Sequence, residues 1–229
     1  NLSFGKGFQF AGIFGWEWNE FFATECAVSY LLGSTFRSNY TNDIQGNYYS
    51  LAETIEGRML RFVPTVKVFG GKRNLRPYAK AGLILGLGTT CNYSQKIGSN
   101  VGGSYQNIEV TGRITGGISY GFMGAFGLDI AINPKYRFFT ELAVFAQTYI
   151  PEKDIIETYE INKRNYFGSL STQDKETRFV DEITQQDLNN SNTNSANKQI
   201  KIYLPFSSIG LNIGMKFYLN KNSEKTKTE

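Results

Sequence analysis

The sequence predicts an all-β protein, an up-and-down antiparallel transmembrane β-barrel for which eight strands are expected and seven are readable. Three observations predict it: segments in which apolar residues alternate with small or polar ones, connections that alternate between short and long, and 24 glycines combined with 15% aromatic residues. Successive side chains of a strand point to opposite faces, so the alternating segments are two-faced strands. The composition disfavours disorder, because it is too aromatic, and a helical protein, because it is too rich in glycine.

The predicted strands and connections follow in a regular order. The strands are 5–18, 21–36, 48–70, 76–93, 112–132, 136–150 and 198–219. Tight connections at Asn19–Glu20, "GGKRNL" and "NPK" alternate with long ones at 37–47, 94–111 and 151–197. In a meander this order places all tight turns at one end, as in outer-membrane barrels with short periplasmic turns and long extracellular loops. We expect residues 1–219 to form the barrel and 220–229 to form a polar periplasmic tail.

Each predicted strand has one large apolar face and one face of small residues that also carries the charges. In "RPYAKAGLILGLG", Leu83 and Leu85 share one face, whereas Lys80 shares the other with Gly82 and Gly86. Small residues inside a narrow barrel leave room for a few long charged groups, so the apolar face is expected to meet lipid. The soluble alternative would leave glycine-rich faces on the surface, where they serve no packing purpose. The predicted lumen charge network consists of Glu17, Glu25, Arg61, Lys67, Lys80, Arg113, Asp129, Arg137, Glu141 and Lys216.

Two similar segments, "TECAV" and "TELAV", each place a glutamate on the interior face, Glu25 in the first and Glu141 in the second. Buried carboxylates need partners, so the cations of the same face are expected to bind them. Two interpretations remain open: a proton or ion path, and a structural network that plugs the barrel. An eight-stranded interior is just wide enough for side chains to fill it, which favours the plug.

Aromatic residues are placed where a membrane interface would need them. Phe14, Trp16 and Trp18 lie on the predicted lipid face just before the first tight turn, and they are expected to form an aromatic girdle. The alternative is that they are core aromatics. The residues Tyr30, Tyr149, Tyr203 and Phe206 are assigned to the opposite girdle.

Seven strands do not agree with the even strand number of single-chain bacterial barrels. The alternation of loops places the end of the last strand on the tight-turn side and Asn1 on the long-loop side. We therefore expect one further upward strand before Asn1. Dividing 48–70 at Glu56–Gly57 would also give eight segments, but it would mix long and short connections at both ends.

Several functional classes are disfavoured by composition. The chain has no histidine, and no GxSxG motif or metal-ligand cluster takes its place, so we expect neither an enzyme nor a cofactor. The net charge of +4 is scattered singly along the chain, which disfavours nucleic-acid binding. Two cysteines, Cys26 and Cys91, cannot support a disulfide framework. No apolar run is long enough for a membrane helix.

The last predicted strand carries a further pattern. In "NIGMKFYL", Asn212, Gly214, Phe217 and Leu219 resemble the terminal signal that the barrel-assembly machinery recognises in bacterial outer-membrane barrels. The chain as a whole resembles small barrels of the OmpA/OmpX type. The segments "GFQFAGIFG", "TECAVSY", "SSIGLNIGMKFYL" and above all "RPYxKAG" (76–82) resemble the PorT-type barrels of Bacteroidota, a group with a link to protein secretion. The resemblance implies the outer membrane of a Gram-negative bacterium, contact with outer-membrane lipid and lipopolysaccharide, and protein partners in that membrane.

Three functional classes follow from these observations. The first is a structural or accessory subunit of a secretion or assembly complex, with a plugged lumen. The second is a surface-exposed binding or adhesion protein that acts through its loops, and the third is a narrow channel. The long segment 151–197 mixes charged stretches with the low-complexity run "NNSNTNSAN", which fits partner binding better than conduction.

Overall fold

The computed structural model describes residues 3–44, 47–71, 74–101, 103–188 and 192–219, and it confirms an all-β fold. A single 14-stranded sheet contains antiparallel neighbours throughout, apart from one parallel pair, β11 with β12. The strands are β1 (Gly7–Glu17), β2 (Phe22–Gly33), β3 (Phe36–Ile44), β4 (Asn47–Phe69), β5 (Leu75–Val101), β6 (Ser104–Thr115), β7 (Ile118–Ala131), β8 (Tyr136–Ile150), β9 (Lys153–Ile161), β10 (Arg164–Asn165), β11 (Glu176–Val180), β12 (Asn197–Ile200), β13 (Leu204–Pro205) and β14 (Ser208–Phe217). Two four-residue helices, α1 (Thr172–Lys175) and α2 (Gln185–Leu188), lie between β10 and β12.

Seven strands pair in the order β1-β2-β4-β5-β7-β8-β14, and we call them the main sheet. They correspond to the seven predicted strands, but two bounds are wrong: of the predicted 112–132 only β7 belongs to the main sheet, and the predicted 198–219 contains β12 and β13 before β14. Their tight connections lie at one end, the tight-turn end, and the longer excursions lie at the other, the loop end. The predicted tail 220–229 and part of the "GGKRNL" turn lie outside the described residues.

Asparagine side chains form two of the tight turns. The Oδ1 atom of Asn19 accepts hydrogen bonds from the backbone N–H groups of Phe21 (2.8 Å) and Phe22 (2.9 Å). Asn133 repeats this arrangement with Lys135 and Tyr136, both at 2.9 Å. Asparagine favours such turns because its side chain replaces a backbone acceptor. The same local chemistry therefore reverses the chain between β1 and β2 and between β7 and β8.

The two faces of the main sheet differ as the alternation predicts. On the enclosed face, Lys67 and Lys80 are 1% and 8% exposed. On the outer face, Leu83, Phe122 and Leu211 are 52%, 66% and 72% exposed. An amphipathic strand with its apolar side outward is inverted relative to a soluble protein.

The three long connections predicted as loops contain regular strands, which corrects the sequence analysis. Residues 37–44 of the first segment belong to β3, which pairs with the first half of β4, and most of 94–111 belongs to β5 and β6. Within 151–197, β9 pairs with β6 and then with β11. We call the part of the sheet formed by β3, the first half of β4, the second half of β5, β6, β9 and β11 the loop-end sheet. The error arose because its strands have two moderately polar faces, a pattern that resembles a loop.

The predicted strand 112–132 is two strands, separated at Gly116 and Gly117. Both glycines have left-handed backbone angles, φ +79° and +70°. A Cβ atom at Gly117 would stand 2.0 Å from the carbonyl oxygen of Ile150, so only glycine fits. At this point β6 leaves the upper half of β5 and β7 begins its pairing with the lower half.

Within the described residues the sheet does not close into a barrel, and the closed barrel stays a prediction. In the described part of the chain β1 pairs with β2 alone and β14 pairs with β8 alone. The facing edges of β1 and β14 are therefore not hydrogen-bonded to each other, and we call the space between them the seam. The strand count of eight stays a prediction.

Candidate functional site

The enclosed face near the tight-turn end carries a network of ion pairs around Asp129. This carboxylate is fully buried, and it lies 3.2 Å from the Nζ atom of Lys216 and 3.2 Å from the Nε atom of Arg137. Arg76 and Lys67 complete the shell at 3.5 Å and 4.0 Å. Because four cations converge on one carboxylate, the network holds strands β4, β5, β7, β8 and β14 together across the interior.

The second half of the network involves the two glutamates that the sequence repeat identifies. Glu25 binds Lys67 (3.2 Å) and Lys216 (3.1 Å), and Glu141 binds Lys80 at 2.8 Å. Lys80 also lies 3.9 Å from Glu25, so its ammonium group connects the two carboxylates from opposite sides of the interior. The glutamates are therefore neutralised by lysines rather than paired with each other.

Aromatic rings cover the cations of this network. The Nζ atom of Lys67 lies 3.5 Å from the ring centroid of Tyr78 and 5.0 Å from that of Phe69, while the Arg76 guanidinium lies 4.1 Å from the Phe69 centroid. The Tyr78 hydroxyl donates a hydrogen bond to Glu141 at 2.8 Å. Cation–π contacts gain strength where water is excluded, so the rings stabilise the same cations that form ion pairs with the carboxylates.

Eight of the ten predicted network residues lie in this network, and two do not. Arg61 is buried, but its guanidinium binds the Gln9 side chain (3.2 Å) and the Phe206 carbonyl oxygen (3.4 Å), above the network. Arg113 is on β6 in the loop-end sheet, where it forms a half-exposed pair with Glu157 at 3.3 Å. The prediction for Arg113 is wrong because the break at Gly116–Gly117 removes β6 from the main sheet.

The structure adds members that the sequence analysis did not include. Arg76 bridges Asp129 and Glu17, with 2.9 Å to the latter, and the Tyr218 hydroxyl donates to Glu17. Arg76 and Tyr78 share parity with Lys80 on the same strand, so the alternation alone would have placed them on the enclosed face.

Two apolar layers fill the interior between the network and the loop end. The middle layer consists of Val63, Ile84, Met123, Ala125, Ala143 and Phe145. The upper layer consists of Phe4, Leu31, Met59, Cys91, Tyr149 and Phe206. A cavity of about 40 Å³ lies between Gln9, Glu25, Lys80, Glu141 and Asn212, which is room for one or a few waters. Tyr149 and Phe206 are thus core residues, and the prediction that they form a girdle is wrong.

The outer face carries large apolar side chains at every level. Phe126, Leu142 and Leu211 lie directly opposite one another on three adjacent strands and are 75%, 54% and 72% exposed. At the tight-turn end, Phe14, Trp16 and Trp18 are 79%, 68% and 67% exposed, so they are not core aromatics. An apolar belt bounded by aromatic rings is typical of a lipid-facing surface.

The residues of the proposed assembly signal have structural roles of their own. Asn212 donates a hydrogen bond to Glu141 at 3.0 Å, and the Phe217 ring meets that of Tyr136 edge-on at a centroid distance of 5.0 Å. A Cβ atom at Gly214 would stand 2.4 Å from the ring of Phe139, the residue opposite it on β8. The glycine therefore makes room for a buried ring inside the sheet.

Replacing Gly214 by alanine is expected to destabilise the fold by about 1–3 kcal/mol, because the Phe139 ring cannot move without disturbing its neighbours. Gly124→Ala is the matched control, since a Cβ atom there meets nothing within 4 Å. Unfolding by urea in detergent or lipid measures both. The additional change Phe139→Leu should restore stability to Gly214→Ala. If assembly in cells still fails in the restored variant, Gly214 also acts in recognition.

One face of the loop-end sheet carries a row of apolar side chains among polar ones. Tyr40, Leu51, Ile97, Ile108 and Ile161 lie opposite one another across five strands, and we call them the apolar row. Tyr40 is 53% exposed and the other four are half-buried. On the reverse face, Lys96 pairs with Glu109 at 3.3 Å. The sheet thus presents an apolar strip beyond the end of the main sheet.

Near the end of the long segment between β8 and β14, an exposed ion pair connects α2 to β12. Lys198 Nζ lies 2.6 Å from Asp187 Oδ1, and the Thr184 N–H and hydroxyl groups donate to Oδ2. Lys198 first, and then Thr184, lower the pKa of Asp187 to about 2. The contact is therefore fully formed above the ordinary aspartate pKa of about 4 and is lost as the pH falls through about 2.

We expect amide hydrogen exchange in α2 and β12 to accelerate as the pH is lowered from 4 to 2, after correction for the intrinsic rate. Asp187→Asn removes the titrating group and should make this local exchange independent of pH in that range. An unchanged pH response in the variant would show that another group loosens the segment.

Comparisons with known proteins do not extend these observations: no protein-family model, no curated protein and no solved structure matches the chain. Among the described helices, none is long and apolar enough to cross a membrane. Within the described ranges, no group of three or more cysteine, aspartate and glutamate residues is arranged to hold a metal ion.

Proposed function

We propose that the chain is an integral outer-membrane β-barrel of a Gram-negative bacterium and acts as a structural or accessory subunit of an outer-membrane protein complex. The observation that carries the proposal is the inversion of the main sheet, with ion pairs enclosed and leucines outside. In water this arrangement would expose the apolar belt and bury charges without need. In a bilayer the apolar outer face would meet lipid, while the enclosed carboxylates stay paired with cations.

The filled interior favours a structural role over a channel. Between the tight-turn end and the loop end, a path would cross the ion-pair network, the middle layer and the upper layer. We therefore expect no steady single-channel current when the purified protein is inserted into planar bilayers, with a general porin as the positive control. A reproducible open level with the 151–197 segment intact would make the channel class the better proposal.

The loop-end sheet supplies the surface for a partner. In the proposed orientation the loop-end sheet lies on the extracellular side, and its apolar row extends across five strands. A partner subunit would cover this strip, whereas the polar reverse face would stay in water. The proposed role is non-enzymatic, and PorT-type kinship remains part of the proposal.

Affinity purification from native outer membranes tests the role. We expect wild-type protein to copurify with a defined outer-membrane protein, and Leu51→Asp together with Ile97→Asp to lose it. Ala52→Asp with Lys96→Asp alters the opposite face of the same strands and is the matched control. Equal recovery from both variants would remove the apolar row from the interface. Capture of a soluble or host ligand instead of a membrane subunit would favour the surface-binding alternative.

A further inference from the structure

Arg61 is a buried cation to which no carboxylate binds within the described residues. It is 1% exposed, like Lys67, but Lys67 lies 3.2 Å from a carboxylate oxygen of Glu25, and Lys80 lies 2.8 Å from one of Glu141. A charge that leaves water is costly unless an opposite charge accompanies it. The interior therefore holds one positive charge that the ion-pair network does not neutralise.

Neutral groups satisfy only part of the Arg61 guanidinium. It donates to the Gln9 Oε1 atom at 3.2 Å and to the Phe206 carbonyl oxygen at 3.4 Å, both longer than the usual distance of about 2.9–3.0 Å. The Phe145 ring centroid lies 5.2 Å from its Cζ atom. In the described part of the chain the buried Nε atom has no acceptor. Both the charge and a hydrogen-bond donor of Arg61 thus lack a partner.

A second buried group without a partner stands directly opposite Arg61. Ser29 pairs with Arg61 across β2 and β4, it is 1% exposed, and its hydroxyl forms no hydrogen bond among the described residues. The Cβ atoms of directly opposite residues lie about 4.5–5.5 Å apart. Two donors that lack an acceptor therefore originate from one cross-strand pair in the interior.

The enclosed carboxylate on the same strand as Ser29 does not supply the missing negative charge. Glu25 is four residues from Ser29, about 13 Å along β2, and it already binds two lysines. Gln9, which accepts from the Arg61 guanidinium, lies on the loop-end side of Ser29. The Arg61 side chain thus extends away from Glu25.

Free space adjoins the guanidinium. The cavity of about 40 Å³ reaches Gln9 and Phe145, which both contact Arg61, and Ala11, which is opposite Ser29. Its volume suits one or a few waters, so it also suits an anion of a single atom but no organic anion.

The two ends of this cavity differ in charge. Glu25 and Glu141 border it on the tight-turn side, whereas Ile13, Ala27 and Val63 lie between them and the row that contains Arg61. The carboxylates repel an anion, and the apolar side chains separate it from them. The Arg61 end is therefore where an anion is stabilised.

We propose that a chloride ion binds beside Arg61, where it neutralises the guanidinium and accepts hydrogen bonds from the Arg61 Nε–H and the Ser29 hydroxyl. Gln9 positions the guanidinium from the other side. The folded state then depends on a small anion as well as on its own ion pairs. The site needs only an interior that excludes water, so it does not depend on the proposed membrane location.

Unfolding of the full chain by urea in detergent micelles tests the site, with chloride exchanged for gluconate at constant ionic strength. An anion that binds only the folded state stabilises it by mass action. Each tenfold rise in chloride should therefore increase the folding equilibrium constant by up to tenfold, with the full factor where the site is saturated. Bromide should replace chloride, and gluconate should not. Equal stability in chloride and gluconate would overturn the proposal.

Substitutions locate the effect. Arg61→Met keeps an unbranched side chain without the charge and should abolish the response to chloride, whatever its own stability. Ser29→Ala should shift the response to higher chloride concentrations, and it keeps the test decisive if Arg61→Met does not fold. Arg113→Met is the matched control, because this arginine is half exposed, and it should respond like the wild type. A full chloride response in both Arg61→Met and Ser29→Ala would place the anion elsewhere and refute the site.

Bromide also gives a direct observation. Crystals grown in bromide should show an anomalous scattering peak beside Arg61 and none there in Arg61→Met. Water alone at this position in the wild-type protein would contradict the proposal. Either result leaves the proposed membrane location untouched.

Discussion

Replacing Asp129 by asparagine is expected to lower the free energy of unfolding by about 3–5 kcal/mol, the usual cost of removing one partner from a buried ion pair. Asparagine has nearly the same shape as aspartate, so the loss of stability would come from the removed charge. Lys216 and Arg137 at 3.2 Å, with Arg76 at 3.5 Å, would then repel one another in an environment that excludes water.

Glu157→Gln is the control for this change. Its partner Arg113 lies at a similar distance of 3.3 Å, but both side chains are about half exposed. Exposed pairs contribute about 0–1 kcal/mol, so this variant should unfold like the wild type. Equilibrium unfolding by guanidinium in lipid vesicles compares the two. Equal effects of the two substitutions would show that the network around Asp129 is solvated and does not hold the strands together.

Replacing Leu142 by arginine is expected to destabilise the protein in a bilayer by about 2–4 kcal/mol, as for charges on the lipid face near the midplane of a barrel. Leu142 lies halfway along β8, between Phe126 and Leu211 on the neighbouring strands, and is 54% exposed. In a soluble protein, an exposed leucine would tolerate arginine within about 0.5 kcal/mol.

The cost of an arginine depends on its depth in the bilayer, and this dependence distinguishes a lipid-facing leucine from an exposed leucine of a soluble protein. Ile132 is 60% exposed and stands at the tight-turn end, so Ile132→Arg should cost only about 0–1 kcal/mol in the same vesicles. Unfolding free energies of the two variants, measured side by side, give the comparison. If Leu142→Arg is as mild as Ile132→Arg, the apolar belt does not face lipid, and the proposed location fails while the fold stands.

The sequence predicted more of the main sheet than of the loop-end sheet, for a physical reason. A strand with one lipid face and one interior face alternates strictly, as in "RPYAKAGLILGLG", and this alternation identifies the strand and its faces together. A strand such as β3, with "FRSNYTNDI", has water on much of both faces, so its residues are not forced to alternate. Its strand conformation comes from pairing with β4, a contact remote from local sequence.

The charged residues show the same division. Parity placed Glu25, Lys67, Lys80, Glu141 and Lys216 on the enclosed face, because parity is a local property of each strand. Which cation meets which carboxylate depends on the relative heights of strands across the interior. For this reason the role of Lys80 between Glu25 and Glu141, and the separate position of Arg61, could be read only from the folded chain.

By itself, the sequence determined the all-β class, the order of the seven strands of the main sheet and the face that each presents, although not the bounds of β7 and β14, since these features follow from alternation and turn chemistry along the chain. The tertiary structure decided that β6 leaves the main sheet at Gly116–Gly117, that Tyr149 and Phe206 fill the interior, and that the described parts of β1 and β14 do not pair with each other. Each of these depends on which distant segments meet, and long-range pairing is set by the packing of the whole chain rather than by any local pattern.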